Sequence, residues 1–399
     1  VLNPYDLAPI LRRIVSMTTR ASDIIFSPGF PPKVLADGQL AEVPIKDFRV
    51  LTPYQTEMMV LSLLKDKPIA LRQFLETGAT DTSYALEKVG RFRINIFRQR
   101  GSIATVMRVI PTDIPTFESL GLPKILERII DMKNGVVLFT GPTGCGKSSS
   151  LAALIHMMAT KYAYHIITIE DPIEFLYPRT RSMIHQRELG LDTDNFANAL
   201  RTALRQAPQV ILVGEMRDRD SMEIALEAAE TGHLILSTLH TIDAAKSIER
   251  IIGTFPKDMA NFIRNRFSQT FRFIVSQKLL PRLDGKGRVL AAEILHSNER
   301  TRTYVSKGLE KGGGSLHDAM EDSAHDGMQT FDMDLLRLVD ENVISREVAI
   351  QNASNPNNLA LKMGMLKERG PSRKKKKEKE SVDNSQTLDQ IPILGLDQQ

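Results

Sequence analysis

One stretch has the residue types and spacing to hold a phosphate chain: Gly141-Pro142-Thr143-Gly144-Cys145-Gly146-Lys147-Ser148, followed by Ser149. It fits the pattern G-x-x-x-x-G-K-[ST]. Gly141, Gly144 and Gly146 let the backbone fold into a nest whose N–H groups face an anion, helped by the positive end of the next helix. Lys147 is then placed to reach the β- and γ-phosphates and the Ser148 hydroxyl to ligate Mg²⁺. The thiol of Cys145, near Lys147 and a helix end, is expected to have a lowered pKa if it is exposed.

Three further groups suit the same chemistry. In Ile169-Glu170-Asp171-Pro172-Ile173-Glu174-Phe175, an acid cluster closes an apolar run, and phosphoryl transfer to water needs such a carboxylate to orient and deprotonate the attacking molecule. Val210-Ile211-Leu212-Val213-Gly214 leads into Glu215, a buried type of strand ending in an acid that would hold Mg²⁺, through water. His233 and His240 bracket the run Leu234–Leu239, and His240 at its carboxyl end could hydrogen-bond a terminal phosphate or signal it to a neighbour.

The elements that must position these groups follow from periodicity. Runs at Val136–Thr140, His165–Glu170, Val210–Glu215 and Leu234–His240 alternate with helical stretches, as in a parallel sheet with crossover helices. Ligands bind such sheets at the carboxyl ends of the strands. Upstream, Leu7–Val15, Thr52–Leu64 and Ile69–Glu76 have helical spacing, and Ser22–Phe26, Arg91–Phe97 and Ile103–Ile110 read as strands. Val34–Leu40 reads as a hairpin with Asp37-Gly38 at its tip. Downstream, Lys257–Leu280 reads as a long helical region, Val289–Leu295 as a strand, and Asp332–Val339 and Arg346–Asn352 as closing helices.

These readings divide the chain into a small α+β domain at 1–112, a proline-flanked linker at 113–118 and an α/β domain at 119–365. A basic and polar tail at 366–399, with the run Arg373–Lys377, is expected to be disordered. At 399 residues, 42% hydrophobic and 25% charged, the composition is that of a soluble globular protein. No apolar run is long enough for a membrane span, and no signal peptide is read at the start. One cysteine excludes an intrachain disulfide and a multi-cysteine zinc module. The net charge of +4 is modest and no basic strand is interleaved with aromatics, so no nucleic acid partner is expected.

The blocks Gly141–Ser148, Thr168–Phe175, Val210–Asp218 and Glu230–Thr241 resemble the Walker A, Asp box, Walker B and His box of the type II/IV secretion ATPase superfamily. Gln186–Gly190, Phe196–Arg201 and Gly327–Asp332 resemble the type IV pilus retraction ATPases of the PilT/PilU family. That resemblance implies an α/β fold with a RecA-like P-loop ATPase domain preceded by a smaller PAS-like α+β domain. It also implies a homo-hexameric ring, ATP and Mg²⁺ as cofactors, and pilus retraction, hence twitching motility, as the work done. The ring would sit in the cytoplasm at the inner-membrane face, with a pilus inner-membrane platform protein as partner and room for a paralogous retraction ATPase as a second. Carried over, it makes Glu174 the general base, with Glu170 the alternative, Glu215 the Walker B acid, and Arg93 and Arg108 the arginines that close over the phosphates. Alkylation of Cys145 would then block ATP binding. Pilus extension or type II secretion, or an accessory subunit that hydrolyses weakly, remain the alternatives.

Overall fold

The computed structural model describes residues 7–17, 21–36, 39–45, 48–87, 89–110, 113–308 and 315–369. Two sheets organise them. The first comprises β1 (Ala21–Phe26), β2 (Lys33–Ala36), β3 (Gln39–Glu42), β4 (Ala79–Leu86), β5 (Gly90–Gln99) and β6 (Ser102–Ile110). They are hydrogen-bonded in the order β3-β2-β1-β6-β5-β4, with every pair antiparallel. Helices α1 (Leu7–Met17), α2 (Pro53–Leu64) and α3 (Pro68–Thr77) share its core, with Ile10, Leu11, Val60 and Phe74 buried beside Ile24, Phe92 and Ile94. Helix α2 starts where it does because Thr52 and Gln55 form a reciprocal cap and Pro53 supplies a fixed first φ. Ala36 pairs with Gln39 as the expected hairpin requires, while its Asp37-Gly38 tip lies outside the described residues.

The second sheet holds β7 (Gly135–Thr140), β8 (His165–Glu170), β9 (Met183–Glu188), β10 (Val210–Val213), β11 (Leu234–Leu239), β12 (Phe271–Pro281) and β13 (Arg288–His296). Their order is β13-β12-β7-β11-β10-β8-β9, and all neighbours are parallel except β13, which pairs antiparallel with β12. The central strands β7 and β11 are buried along their whole length, as befits apolar runs covered on both faces. Helix α4 (Lys147–Lys161) packs on one face, with Leu154, Ile155 and Met158 against Val137 and Phe139. Helices α5 (Phe196–Ala203), α6 (Arg219–Glu230), α7 (Ala244–Gly253) and α8 (Ala260–Thr270) cover the other. Beyond them α9 (Glu299–Lys307), α10 (Leu316–Asp322), α11 (Phe331–Asp340), α12 (Arg346–Asn352) and α13 (Pro356–Arg369) follow, and Phe331, Leu335 and Leu338 of α11 bury against Leu280 and Ala291.

One expected element is wrong. The stretch Lys257–Leu280 is not one helical region: α8 ends at Thr270 and Phe271–Pro281 is a strand between β7 and β13. Ile263, Phe267, Phe271 and Ile274 fall at helical spacing yet are all buried in one core, so the pattern misleads. Pairing with β7 and β13, both distant in sequence, decides the conformation there. Helix α13 also runs to Arg369, into the stretch at 366–399 expected to be disordered, and the rest of that stretch lies outside the described residues.

Candidate active site

The phosphate loop joins β7 to α4. Gly141, Gly144 and Gly146 have φ of 138°, 78° and 95°, the left-handed region that glycine tolerates best. Gly141 is fixed twice over, because a Cβ there would sit 2.5 Å from the Gln277 carbonyl oxygen and 2.7 Å from the Cys145 Sγ. Lys147 is buried, and its Nζ donates to the carbonyl oxygens of Gly141 (2.8 Å) and Pro142 (3.1 Å), which ties the loop's two ends together. Behind it, Thr140 Oγ1 donates to Ser276 Oγ (2.9 Å) and Gln277 Nε2 to Ser150 Oγ (2.8 Å), both across to β12.

Ahead of the loop lies a cleft of about 670 Å³ at the carboxyl ends of β7, β8, β10 and β11. Thr143, Gly144, Gly146, Lys147, Ser148 and Ser149 line one side, and Glu170, Glu174, Glu215 and His240 another. Arg93, on β5 of the first sheet, reaches it from above. Four blocks spread over a hundred residues of chain thus converge on one space.

Each acid has its own setting. Glu170 ends β8 and accepts hydrogen bonds from Thr168 Oγ1 (2.6 Å) and Gln186 Nε2 (3.2 Å). Burial pushes its carboxyl pKa up, against those two hydrogen bonds. Glu174 sits on the irregular segment between β8 and β9 and faces the cleft. Glu215 accepts from Arg217 Nε at 2.8 Å and lies 3.3 Å from His240 Nε2, so two of the sequence blocks touch directly. Clustered cations beside carboxylates suit a polyanionic phosphate chain with a divalent ion. Ser148 and Glu215 are among the oxygen donors that line the cleft, the ligand type that suits Mg²⁺, a hard cation that keeps most of its waters.

Five expected residues do not line the cleft: His233, Arg108, Cys145, Gly141 and Pro142. His233 precedes β11, roughly 20 Å along the strand from His240. It bonds Ala228 O through Nδ1 (3.0 Å) and lines a separate cavity with Lys133, Tyr164 and Gln209, so it is not part of the cleft. Arg108 is the antiparallel partner of Arg93 on β6, but its Nε donates to Asp23 Oδ1 at 2.9 Å and it does not line the cleft. Cys145 is buried at 3% exposure, and burial pushes its thiol up although Lys147 works the other way. The exposure on which a lowered thiol pKa depended is therefore not met, because the packing around the loop desolvates the sulfur. Gly141 and Pro142 likewise do not line the cleft.

Asp81, Arg217 and Arg288 also line the cleft and were missed in the sequence. Arg217, two residues after Glu215, could have been found from its position. Asp81 is brought in by β4 pairing with β5, and Arg288 by β13 pairing with β12, contacts that no local motif announces. Among the described residues no cluster of three or more His, Cys, Asp or Glu is arranged to hold a metal, and no helix is long and apolar enough to cross a membrane.

A mostly parallel sheet with a phosphate loop after one of its central strands, preceded by a smaller α+β unit, defines a P-loop α/β protein of RecA-like architecture. Residues 37–351 match the family described as type II/IV secretion system protein, and the chain belongs to it. It is 40% identical over 339 residues to the type IV pilus retraction ATPase PilT of Pseudomonas aeruginosa, covering 85% of this chain and 96% of that one. It is also 40% identical over 340 residues to the type IV pilus ATPase PilU of the same organism, covering 85% and 87%. Among solved structures, the pilus retraction motor PilT with bound ADP aligns at a TM-score of 0.78 and 40% identity, over 88% of this chain and 99% of that one. The Legionella pneumophila ATPase DotB aligns at 0.75 and 28% identity, over 87% and 95%.

Proposed function

We propose that this chain is an ATP-hydrolysing motor of type IV pilus retraction, working as a homo-hexamer on the cytoplasmic face of the inner membrane against a platform protein. The observation that carries the reading is the convergence of Lys147, Ser148, Glu174, Glu215, His240 and Arg93 on one cleft. Likeness to PilT over most of both chains supports it. Units at 1–112 and 119–365 joined by 113–118 are the moving parts.

On this reading the triphosphate of ATP lies along the loop from Thr143 to Ser149, and Lys147 exchanges its two loop carbonyls for phosphate oxygens. Ser148 and Glu215 would hold Mg²⁺, which would supply charge to offset that of the phosphates. Glu174 takes the proton of the attacking water, while the more deeply buried Glu170 stays hydrogen-bonded to Thr168 and Gln186. Arg93 offsets charge that builds in the transition state and draws the first sheet onto the nucleotide. Arg108 joins it only if its ion pair with Asp23 opens. His240, in contact with Glu215, relays the state of the phosphate into α7, which begins four residues later.

Phosphate release from ATP by the purified chain tests this. Lys147→Ala and Glu174→Gln are each expected to lower turnover by about 100-fold or more. Full turnover in either would remove that residue from the role given. Equal identity to PilU favours one second reading, an accessory subunit that binds ATP and hydrolyses it slowly beside a paralogous ATPase. Turnover of the wild-type chain alone separates the two.

A further inference from the structure

The first sheet grips the second through a buried acid that none of the phosphate-site blocks contains. Glu188 ends β9 and is 2% exposed. Its Oε1 accepts from Ser83 Oγ at 2.6 Å, and its Oε2 accepts from Arg91 Nη2 and from the backbone N–H of Ile173 at 3.1 Å. Arg91 also donates to Ser83 Oγ at 2.8 Å. A second cation is close, since Lys67 Nζ bonds Thr82 Oγ1 at 3.0 Å and the Ser83 carbonyl. One carboxylate thus joins β4, β5 and the segment after β8.

The position of those partners is what matters. Ile173 is the residue before Glu174, so the acid that Arg91 grips also fixes the backbone from which Glu174 reaches the cleft. Arg91 lies two residues before Arg93 on β5, and side chains two apart in a strand share a face. Docking that face therefore places Arg93 at the phosphates and Arg91 on Glu188 together. A buried charge with three directed hydrogen bonds tolerates few other geometries, because a lost partner leaves it desolvated and unpaired.

We propose that Glu188 is a positioning residue that couples docking of the first sheet to the placement of Glu174, so that hydrolysis waits for the sheet carrying Arg93. The inference rests on Glu174 being the base. When the first sheet swings away, the Arg91 contact opens and Ile173 loses the fully bonded acceptor that holds it. Turnover then stops while the phosphate loop still binds nucleotide through Lys147 and Ser148.

The test compares Glu188→Gln, Ser83→Ala and Glu174→Gln in the full chain, reading kcat, KM for ATP, ADP affinity and melting temperature. Glu188→Gln keeps the shape but not the charge, and is expected to lower kcat by about tenfold while ADP affinity stays within about twofold. Ser83→Ala, which leaves the ion pair intact but removes the donor to Glu188 Oε1, is expected to lower kcat by about threefold and to lower the melting temperature, with ADP affinity within about twofold. It carries the test if Glu188→Gln does not fold. Wild-type kcat in the folded Glu188→Gln variant, or equal losses in kcat and ADP affinity, would overturn the coupling. Full turnover in Glu174→Gln would instead overturn the base assignment, and the coupling with it, so the two failures are distinguishable.

Discussion

At the scale of residues, the phosphate loop shows how a motif can be legible while its chemistry is not. Its glycines, lysine and serine are recognised from spacing, because φ and charge requirements are local. The burial of Cys145 is not: the residue is 3% exposed and its sulfur lies against Gly141, whose other close neighbour is the Gln277 carbonyl of β12. Maleimide is accordingly expected to label the native chain at Cys145 at least about tenfold more slowly than the unfolded chain, with ATP adding little protection. Rapid native labelling with loss of activity would restore the exposed-thiol picture. Gly141→Ala should be the most damaging of the loop's glycine substitutions, since it meets both backbone and sulfur. Gly144→Ala, with open space around it, should cost only about 1–2 kcal/mol for its φ. Denaturant melts of the two variants check the order.

At the scale of elements, β13 carries a second buried acid that joins three helix starts. Glu293 accepts the Ala244 N–H at the head of α7 (2.8 Å) and is hydrogen-bonded by the Phe331 backbone at the head of α11, and His317 of α10 approaches to 3.9 Å. Burial pushes its pKa from 4.5 to about 6, opposed by Ala244 and His317 and aided by Asp243, with Lys278 also nearby. Between those values the folded chain holds a proton that the unfolded chain releases. This site therefore favours folding fully below the unfolded pKa of 4.5 and ceases to as pH rises through about 6. Glu293→Gln is expected to gain on the wild type by about 2 kcal/mol between acid and neutral pH. Parallel stability curves for the two would contradict it. The same strand pair marks the limit of reading by pattern. Strands β7, β8, β10 and β11 are legible because each is a short apolar run closed by a polar group. Strand β12 is not, because its apolar residues continue the helical spacing of α8 and only pairing tells them apart.

At the scale of the whole molecule, two sheets share one cleft. The order of the blocks along the chain makes the second sheet's contribution readable, since parallel strands deliver their carboxyl ends to one edge. The first sheet's contribution is not readable from order. Arg93 is at the cleft and Arg108 is not, although the two are paired across adjacent strands, because Asp23 holds one of them. The junction of Glu188 with Arg91 is likewise invisible in sequence, its partners being 97 residues apart. The Glu188–Arg91 contact joins the two sheets, whereas Asp23–Arg108 lies within the first, and Asp23→Ala is expected to free Arg108 and lower the KM for ATP by about twofold to threefold. An unchanged KM would leave Arg108 outside the cycle.

On the proposed function, this cleft powers withdrawal of pili rather than their assembly. Deleting the gene in its host and counting surface pili by electron microscopy tests it most directly. Excess pili with lost twitching, restored by the wild-type gene but not by Glu174→Gln, is the predicted result. Bald cells would contradict it and point to extension.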